Sequence, residues 1–189
     1  MLHKIFDTFL RRRTYATVGD GEWHHICVSW ESSSGSWKFY KDGGLIKEGT
    51  NLKRGHTIRQ GGTLAFGQDQ DSVGGGFEKS QSFQGKLSGI NVWDNVLTPD
   101  KIKNVSTSCV LNEEDNGNVY NWVEILREGA IRLVEPSTCG PIGKGMRDFN
   151  ISPYTYNRIL ESDKFSARPS FHQIVQLQNS RGNLVTPCD

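Results

Sequence analysis

Neither sign of charge dominates this chain: 22 lysines and arginines stand against 21 aspartates and glutamates over 189 residues. That balance gives no electrostatic case for nucleic acid or for an anionic membrane surface. Arg11, Arg12 and Arg13 make a short basic run that reads as a solvated turn or tail. Long apolar runs are missing too, so no stretch approaches the length of a membrane span. Met1 to Leu10 lacks the continuous apolar core of a secretory leader. Either the chain is not secreted by itself or it is a piece of something longer. Cysteines are few. Cys27, Cys109, Cys139 and Cys188 include no close pair of metal-binding spacing. Cys109 and Cys139 flank a compact segment and are expected as disulfide partners, whereas Cys27 and Cys188 have no evident mates. Proline is sparse until the end, where Pro141, Pro153, Pro169 and Pro187 fall among scattered apolar residues. Residues 140–189 therefore read as a linker or poorly ordered tail, with strand character only over Phe171 to Leu177.

What is present reads as short strands. Glu22-Trp-His-His-Ile-Cys-Val-Ser-Trp30 sets His24, Ile26, Val28 and Trp30 on one face and Trp23, His25, Cys27 and Ser29 on the other. Large residues on both faces suit a strand inside a two-layer sandwich. Trp37-Lys-Phe-Tyr-Lys41 is a second strand, and Asp42-Gly43 is a strong hairpin signal leading into Leu45-Ile-Lys-Glu48. Gly61-Gly62 opens Thr63-Leu-Ala-Phe66. Phe83 to Trp93 is a further strand, with Leu87 and Trp93 expected on one face and Ile90 and Val92 on the other. One short helix follows. Thr98 caps it, Pro99 suits its first position, Asp100 favours the positive end of its dipole, and Leu97 with Ile102 forms a hydrophobic staple. Asn118 to Trp122 and Ala130 to Val134 are expected as closing strands.

Between the two halves lies Gly67-Gln-Asp-Gln-Asp-Ser-Val-Gly-Gly-Gly-Phe-Glu-Lys-Ser-Gln81, which holds Asp69, Asp71 and Glu78 with the amides of Gln68, Gln70 and Gln81. Gly74 to Gly76 let the chain fold back, bringing Glu78 and Gln81 over Asp69 and Asp71. Carboxylates brought that close repel one another unless a cation sits among them, and calcium, which takes six to eight oxygens, suits such a set. An EF-hand starting at Asp69 fails, because Val73 and Ser80 stand where oxygen ligands are needed. The bland alternative is a solvated, glycine-rich loop. His24 and His25 point to opposite faces and cannot easily share a metal, so packing or hydrogen bonding within the sandwich is expected of them. Asn104-Val-Ser106 and Asn150-Ile-Ser152 match the N-glycosylation acceptor pattern and, with the cysteines, tilt the compartment towards extracellular.

His25-Ile-Cys27-Val-Ser29-Trp30-Glu-Ser32 fits the pentraxin signature, and the acidic loop with Gln81-Ser-Phe-Gln-Gly85 and Asn91-Val-Trp-Asp94 closely resembles the same stretch of pentraxins. The resemblance covers residues 19–139, the segment from Cys109 to Cys139 being more similar to long pentraxins and to pentraxin modules of mosaic extracellular proteins. It implies an all-β fold: a jelly-roll (concanavalin- or laminin-G-like) antiparallel β-sandwich with one short helix on the face opposite the ligand. It further implies a double calcium site, with Asp69 and Asp71 bridging two ions, the Gln70 carbonyl on one, and Glu78 with Gln81 on the second. The family often has Glu at the position of Asp69. By resemblance Cys27 bonds a cysteine in the first half of the domain. Residues 1–18 are too few to supply the strands a pentraxin has before His25, so they are expected to be an N-terminal remnant of a partial domain.

The function expected is a non-enzymatic, calcium-dependent extracellular binding module. It would take anionic small molecules, glycan or lipid headgroups, or an extracellular protein, with no nucleic acid and no membrane span. Assembly into a homo-oligomer would supply avidity. Within a mosaic protein the module would act in adhesion. Two alternatives belong to other classes: a laminin-G-like structural or adhesion domain without a small ligand, and a jelly-roll glycosidase. The glycosidase lacks support because the Glu-x-Asp-x-x-Glu strand motif is absent.

Overall fold

The computed structural model describes residues 20–58, 63–107, 115–122, 131–134, 148–151 and 170–179. Their strands are β1 (Trp23–Glu31), β2 (Ser36–Lys41), β3 (Gly44–Gly49), β4 (Gly85–Trp93), β5 (Arg132–Val134), β6 (Asp148–Ile151) and β7 (Ser170–Asn179), with one α-helix, α1 (Pro99–Ser106). The strands form one sheet in the order β3-β2-β1-β7-β4-β6-β5. Every pairing is antiparallel. Among the described residues no helix is long and apolar enough to cross a membrane.

The alternation of β1 sorts its side chains into two cores. Val28 and Trp30, with Ile26 beside them, join Trp37, Phe39, Leu64, Phe66, Leu87 and Ile90 in the larger cluster. Cys27 joins Tyr40, Trp93, Leu97, Ile102 and Val105 in the second, where α1 lies. The register makes the division consistent, because Val28 faces Phe39, Trp30 faces Trp37 and Cys27 faces Tyr40. Burial pushes the thiol of Cys27 well above its ordinary pKa. The hairpin expected at Asp42-Gly43 forms with both residues at positive φ, 51° and 77°, as its tight turn requires. Asp42 also ties the turn to β1: its backbone N–H donates to the His25 carbonyl at 2.8 Å, and its carboxylate accepts from the His25 N–H at 2.9 Å.

Beyond the turn, α1 follows its expected caps. The Thr98 side chain accepts from the Lys101 N–H at 3.3 Å, Pro99 opens the helix, and Leu97 and Ile102 share one apolar cluster. Lys101 adds an ion pair with Asp115.

The expected faces of β4 need correction. Leu87 lies with Ile90 and Val92 in the larger cluster, and Trp93 lies in the other. Pairing with β7 shifts register between Ser88 and Asn91, and Gly89 there takes φ 61°. A bulge inserts one residue and so exchanges the faces of everything after it. Asn118 to Trp122 likewise forms no strand, only an isolated bridge between Tyr120 and Val92. That segment is held by Asn91 and Asp94. Buried Asn91 accepts from the Gly117 N–H at 2.9 Å, and Asn118 accepts from the Asp94 N–H at 3.1 Å while donating back to the Asp94 carboxylate at 2.6 Å.

Both β6 and β7 come from residues 140–189, the stretch expected as linker or tail, and β7 stands between β1 and β4. Its register sets positions 171, 175 and 177 opposite Trp30, Ile26 and His24. Phe171, Val175 and Leu177 share the odd positions of this strand, while Ile174 falls on the even set opposite Cys27. Cys109, Cys139 and Cys188 lie outside the described residues.

Two outcomes are expected. His25 is buried with neither ring nitrogen hydrogen-bonded, and desolvation lowers its pKa from 6.5 to about 4 despite the nearby Asp42 carboxylate. Its folded state thus binds fewer protons than its unfolded state between those values, so stability holds above pH 6.5 and falls as pH drops towards 4. The loss amounts to about 3 kcal/mol; urea titrations across that range should show it, and His25→Leu should flatten the profile. At Gly117 a Cβ would lie 2.0 Å from the Tyr120 carbonyl oxygen and 2.6 Å from Val92 backbone atoms. Gly117→Ala should therefore lower stability by about 2 kcal/mol or more in the same assay.

Candidate metal centre

The acidic loop starts from a fixed point. Leu64 and Phe66 are buried in the larger cluster, on which the segment before them is anchored by a 2.7 Å hydrogen bond from the Trp30 indole to the Leu52 carbonyl. From Gly67 (φ 80°) the chain leaves the core. It returns at Phe83, whose N–H donates to the Gly67 carbonyl at 2.9 Å and closes the loop at its base.

Two glutamines brace the interior. Gln68, 9% exposed, spans the loop by donating from Nε2 to the Glu78 carbonyl at 2.7 Å, and its Oε1 accepts from the Asp69 N–H at 3.2 Å. Gln70 donates to the Thr63 carbonyl at 3.1 Å and accepts from the Gly74 N–H at 3.1 Å. Ser72 and Gly75 exchange backbone hydrogen bonds of 3.2 Å, making a small hairpin with Val73 exposed at its tip. Gly76 then turns at φ 72° and sits against Asp71, so close that a Cβ would lie 2.7 Å from that of Asp71. A 3-10 turn, Lys79–Gln81, completes the return, with the Gln81 N–H bonded to the Glu78 carbonyl at 3.1 Å.

The five expected ligands all belong to this closed loop, yet they are gathered unequally. Asp69 Oδ1 accepts from the Gln70 N–H at 2.8 Å. Asp71 is exposed and packs its Cβ beside Gly76, two residues before Glu78. Glu78 is exposed, with Ser80 donating to its carboxylate at 3.4 Å. Gln81 differs from these: its Oε1 is buried and accepts no hydrogen bond. A buried carbonyl oxygen left without a donor costs about 1–3 kcal/mol, and a hard cation is one group that would satisfy it. Among the described residues no three His, Cys, Asp or Glu side chains converge tightly enough to form a metal cluster. The fit to calcium therefore rests on oxygen chemistry throughout, on the fold-back at Gly76 and on the undonated Gln81 oxygen.

Sequence reasoning missed the strut formed by Gln68. Its signal is an amide beside Asp69 at the loop entrance, able both to donate and to accept, where a carboxylate could only accept. The two histidines behave as packing and hydrogen-bonding residues. The His24 ring meets the Asp20 carboxylate at 3.0 Å through Nε2 and that of Asp42 at 2.9 Å through Nδ1. The hydrogen bond with His24 is the main cause holding the Asp20 carboxyl below its usual pKa.

Residues 9–130 match the model of the Pentaxin family. The chain belongs to the pentraxin family. Its fold is accordingly the all-β, antiparallel jelly roll of pentraxins with one short helix. Among similar proteins, neuronal pentraxin-2 of Cavia porcellus is 46% identical over 107 residues, covering 57% of this chain and 24% of that protein. Human neuronal pentraxin-1 is 43% identical over 107 residues, again 57% of this chain and 24% of that protein. The sushi, von Willebrand factor type A, EGF and pentraxin domain-containing protein 1 of Rattus norvegicus is 44% identical over 110 residues, which are 58% of this chain and 3% of that protein. This pentraxin chain thus spans about a quarter of the neuronal pentraxins it matches.

Gly76→Ala should break the fold-back while leaving every candidate ligand's own residue type unchanged. A side chain at positive φ costs about 1 kcal/mol, and the clash with Asp71 adds to it. Limited proteolysis of the loop should accelerate several-fold in the variant, with cleavage confined to residues 67–83.

Proposed function

We propose that this pentraxin chain is a calcium-dependent extracellular binding module that recognises phosphate- or carboxylate-bearing ligands through the bound ion. The observation that carries the reading is the buried, undonated oxygen of Gln81, inside a loop that also holds the carboxylates of Asp69, Asp71 and Glu78. Asp69 and Asp71 would bridge two ions, the Gln70 main-chain carbonyl would join one of them, and Glu78 and Gln81 would hold the other. Calcium takes more oxygens than one loop supplies, so positions left open would accept oxygens from an anionic ligand. Such binding is weak at a single site, and assembly of several copies would raise it by avidity. The names of the relatives support the pentraxin type of module.

Thermal melts with calcium and with chelator test this reading. An ion bound only by the folded state at a hundredfold excess over its Kd adds about 2.7 kcal/mol. Calcium should raise the midpoint of the parent chain, and Asp71→Asn and Gln81→Leu should each reduce that rise. Retention on phosphate-bearing beads should require calcium in the parent and be lost in Asp71→Asn. A cooperative melt indifferent to calcium would instead favour a metal-free structural domain.

A further inference from the structure

Asn104 belongs to an acceptor tripeptide, Asn104-Val105-Ser106, and its place in the fold separates it from the other tripeptide of this kind. In α1, Ile102 and Val105 are buried against Cys27, Tyr40 and Trp93. The next arc of the helix abuts the β2–β3 turn, since a Cβ at Gly43 would lie 2.5 Å from Ser106 Oγ and 3.3 Å from Lys103 Cα. At 100° per residue the remaining arc carries Asp100 and Asn104, and both are exposed. Asn150, by contrast, stands in β6 with β4 paired on one side and β5 on the other.

We propose that Asn104 carries an N-linked glycan, placed on the α1 side of the sheet and away from the acidic loop. The donor is a lipid diphosphate-linked oligosaccharide. The Asn104 amide nitrogen forms a bond to C1 of the first sugar, the C1–oxygen bond to the diphosphate breaks, and the amide proton leaves with the lipid diphosphate. No oxidation or reduction occurs. Transfer acts on the chain before it folds, so the hydrogen bond that folded Ser106 makes to the Lys103 carbonyl, at 2.7 Å, is no obstacle. What folding decides is whether the modified residue can remain in water. Asn104 can, because the inward-facing positions of α1 are occupied by other residues.

The position has a spatial consequence. Cys27, on one face of β1, packs in the cluster that holds α1, while Val28 and Trp30 pack in the cluster from which Leu64 and Phe66 lead into the loop. A glycan on α1 therefore hydrates the sheet side opposite that cluster and leaves the candidate metal centre uncovered. The proposal shares with the proposed function only the extracellular route, and it stands whether or not the loop binds calcium.

The test expresses the full chain behind a cleavable leader in a eukaryotic secretory pathway. Amidase release of N-glycans in heavy-oxygen water is then read by mass spectrometry on the intracellular and secreted pools. The expected result is heavy-oxygen aspartate at position 104, lost in Ser106→Ala and kept in Ser106→Thr, with the calcium-induced melting shift the same in Asn104→Gln as in the parent. Because transfer precedes folding, the intracellular pool reports even for a variant that folds poorly. An unmodified Asn104 peptide in both pools would overturn the proposal. Failure of every chain to respond to calcium would count against the metal centre alone.

Discussion

Cys27 and Trp30 are three residues apart on one strand, yet each is buried in a different core. Strand geometry sends neighbours to opposite faces, so a strand with large residues at both odd and even positions must be covered twice. The larger cluster covers one face of β1 and α1 covers the other. From that division follow the placement of the hairpin turn against α1, the anchoring of the Leu52 segment by Trp30, and the point at which Phe66 releases the chain into its acidic loop. Truncating a fully buried tryptophan costs about 3–5 kcal/mol; at Trp30 it would also remove the hydrogen bond to the Leu52 carbonyl.

Local signals were legible where local chemistry decides the structure. The faces of β1, the Asp42-Gly43 turn and every cap of α1 follow from residue type and period alone. The faces of β4 could not be read that way, because one glycine at positive φ exchanges them after Gly89, and a glycine in a strand does not announce whether it bulges. The central place of β7 was also out of reach. Its run of Phe171, Ile174, Val175 and Leu177 has strand character, but only pairing with β1 and β4 tells where the strand goes, and those partners lie far away in sequence. Asn91 and Asp94 were visible as part of a motif. Their work, gripping Gly117 and Asn118, depends on a contact across more than twenty residues.

The candidate metal centre divides along the same line. Its oxygen-rich composition and the need for glycines at the fold-back are sequence properties. The bracing by Gln68 and Gln70, and the burial of the Gln81 carbonyl oxygen without a donor, are properties of the closed loop. Repulsion explains why Asp71 and Glu78 stay in solvent while the amides take the interior: a neutral amide can satisfy its own neighbours, whereas adjacent carboxylates need a counter-charge to pack together.

The role proposed for the Gln81 oxygen is to hold a cation. A crystal structure of the chain grown in calcium would show whether it does. A cation is expected about 2.3–2.6 Å from Gln81 Oε1, the usual calcium–oxygen distance, with carboxylate oxygens of the same loop in its shell. A calcium-saturated crystal in which Gln81 Oε1 accepts a hydrogen bond from the protein, with no cation in the loop, would contradict it.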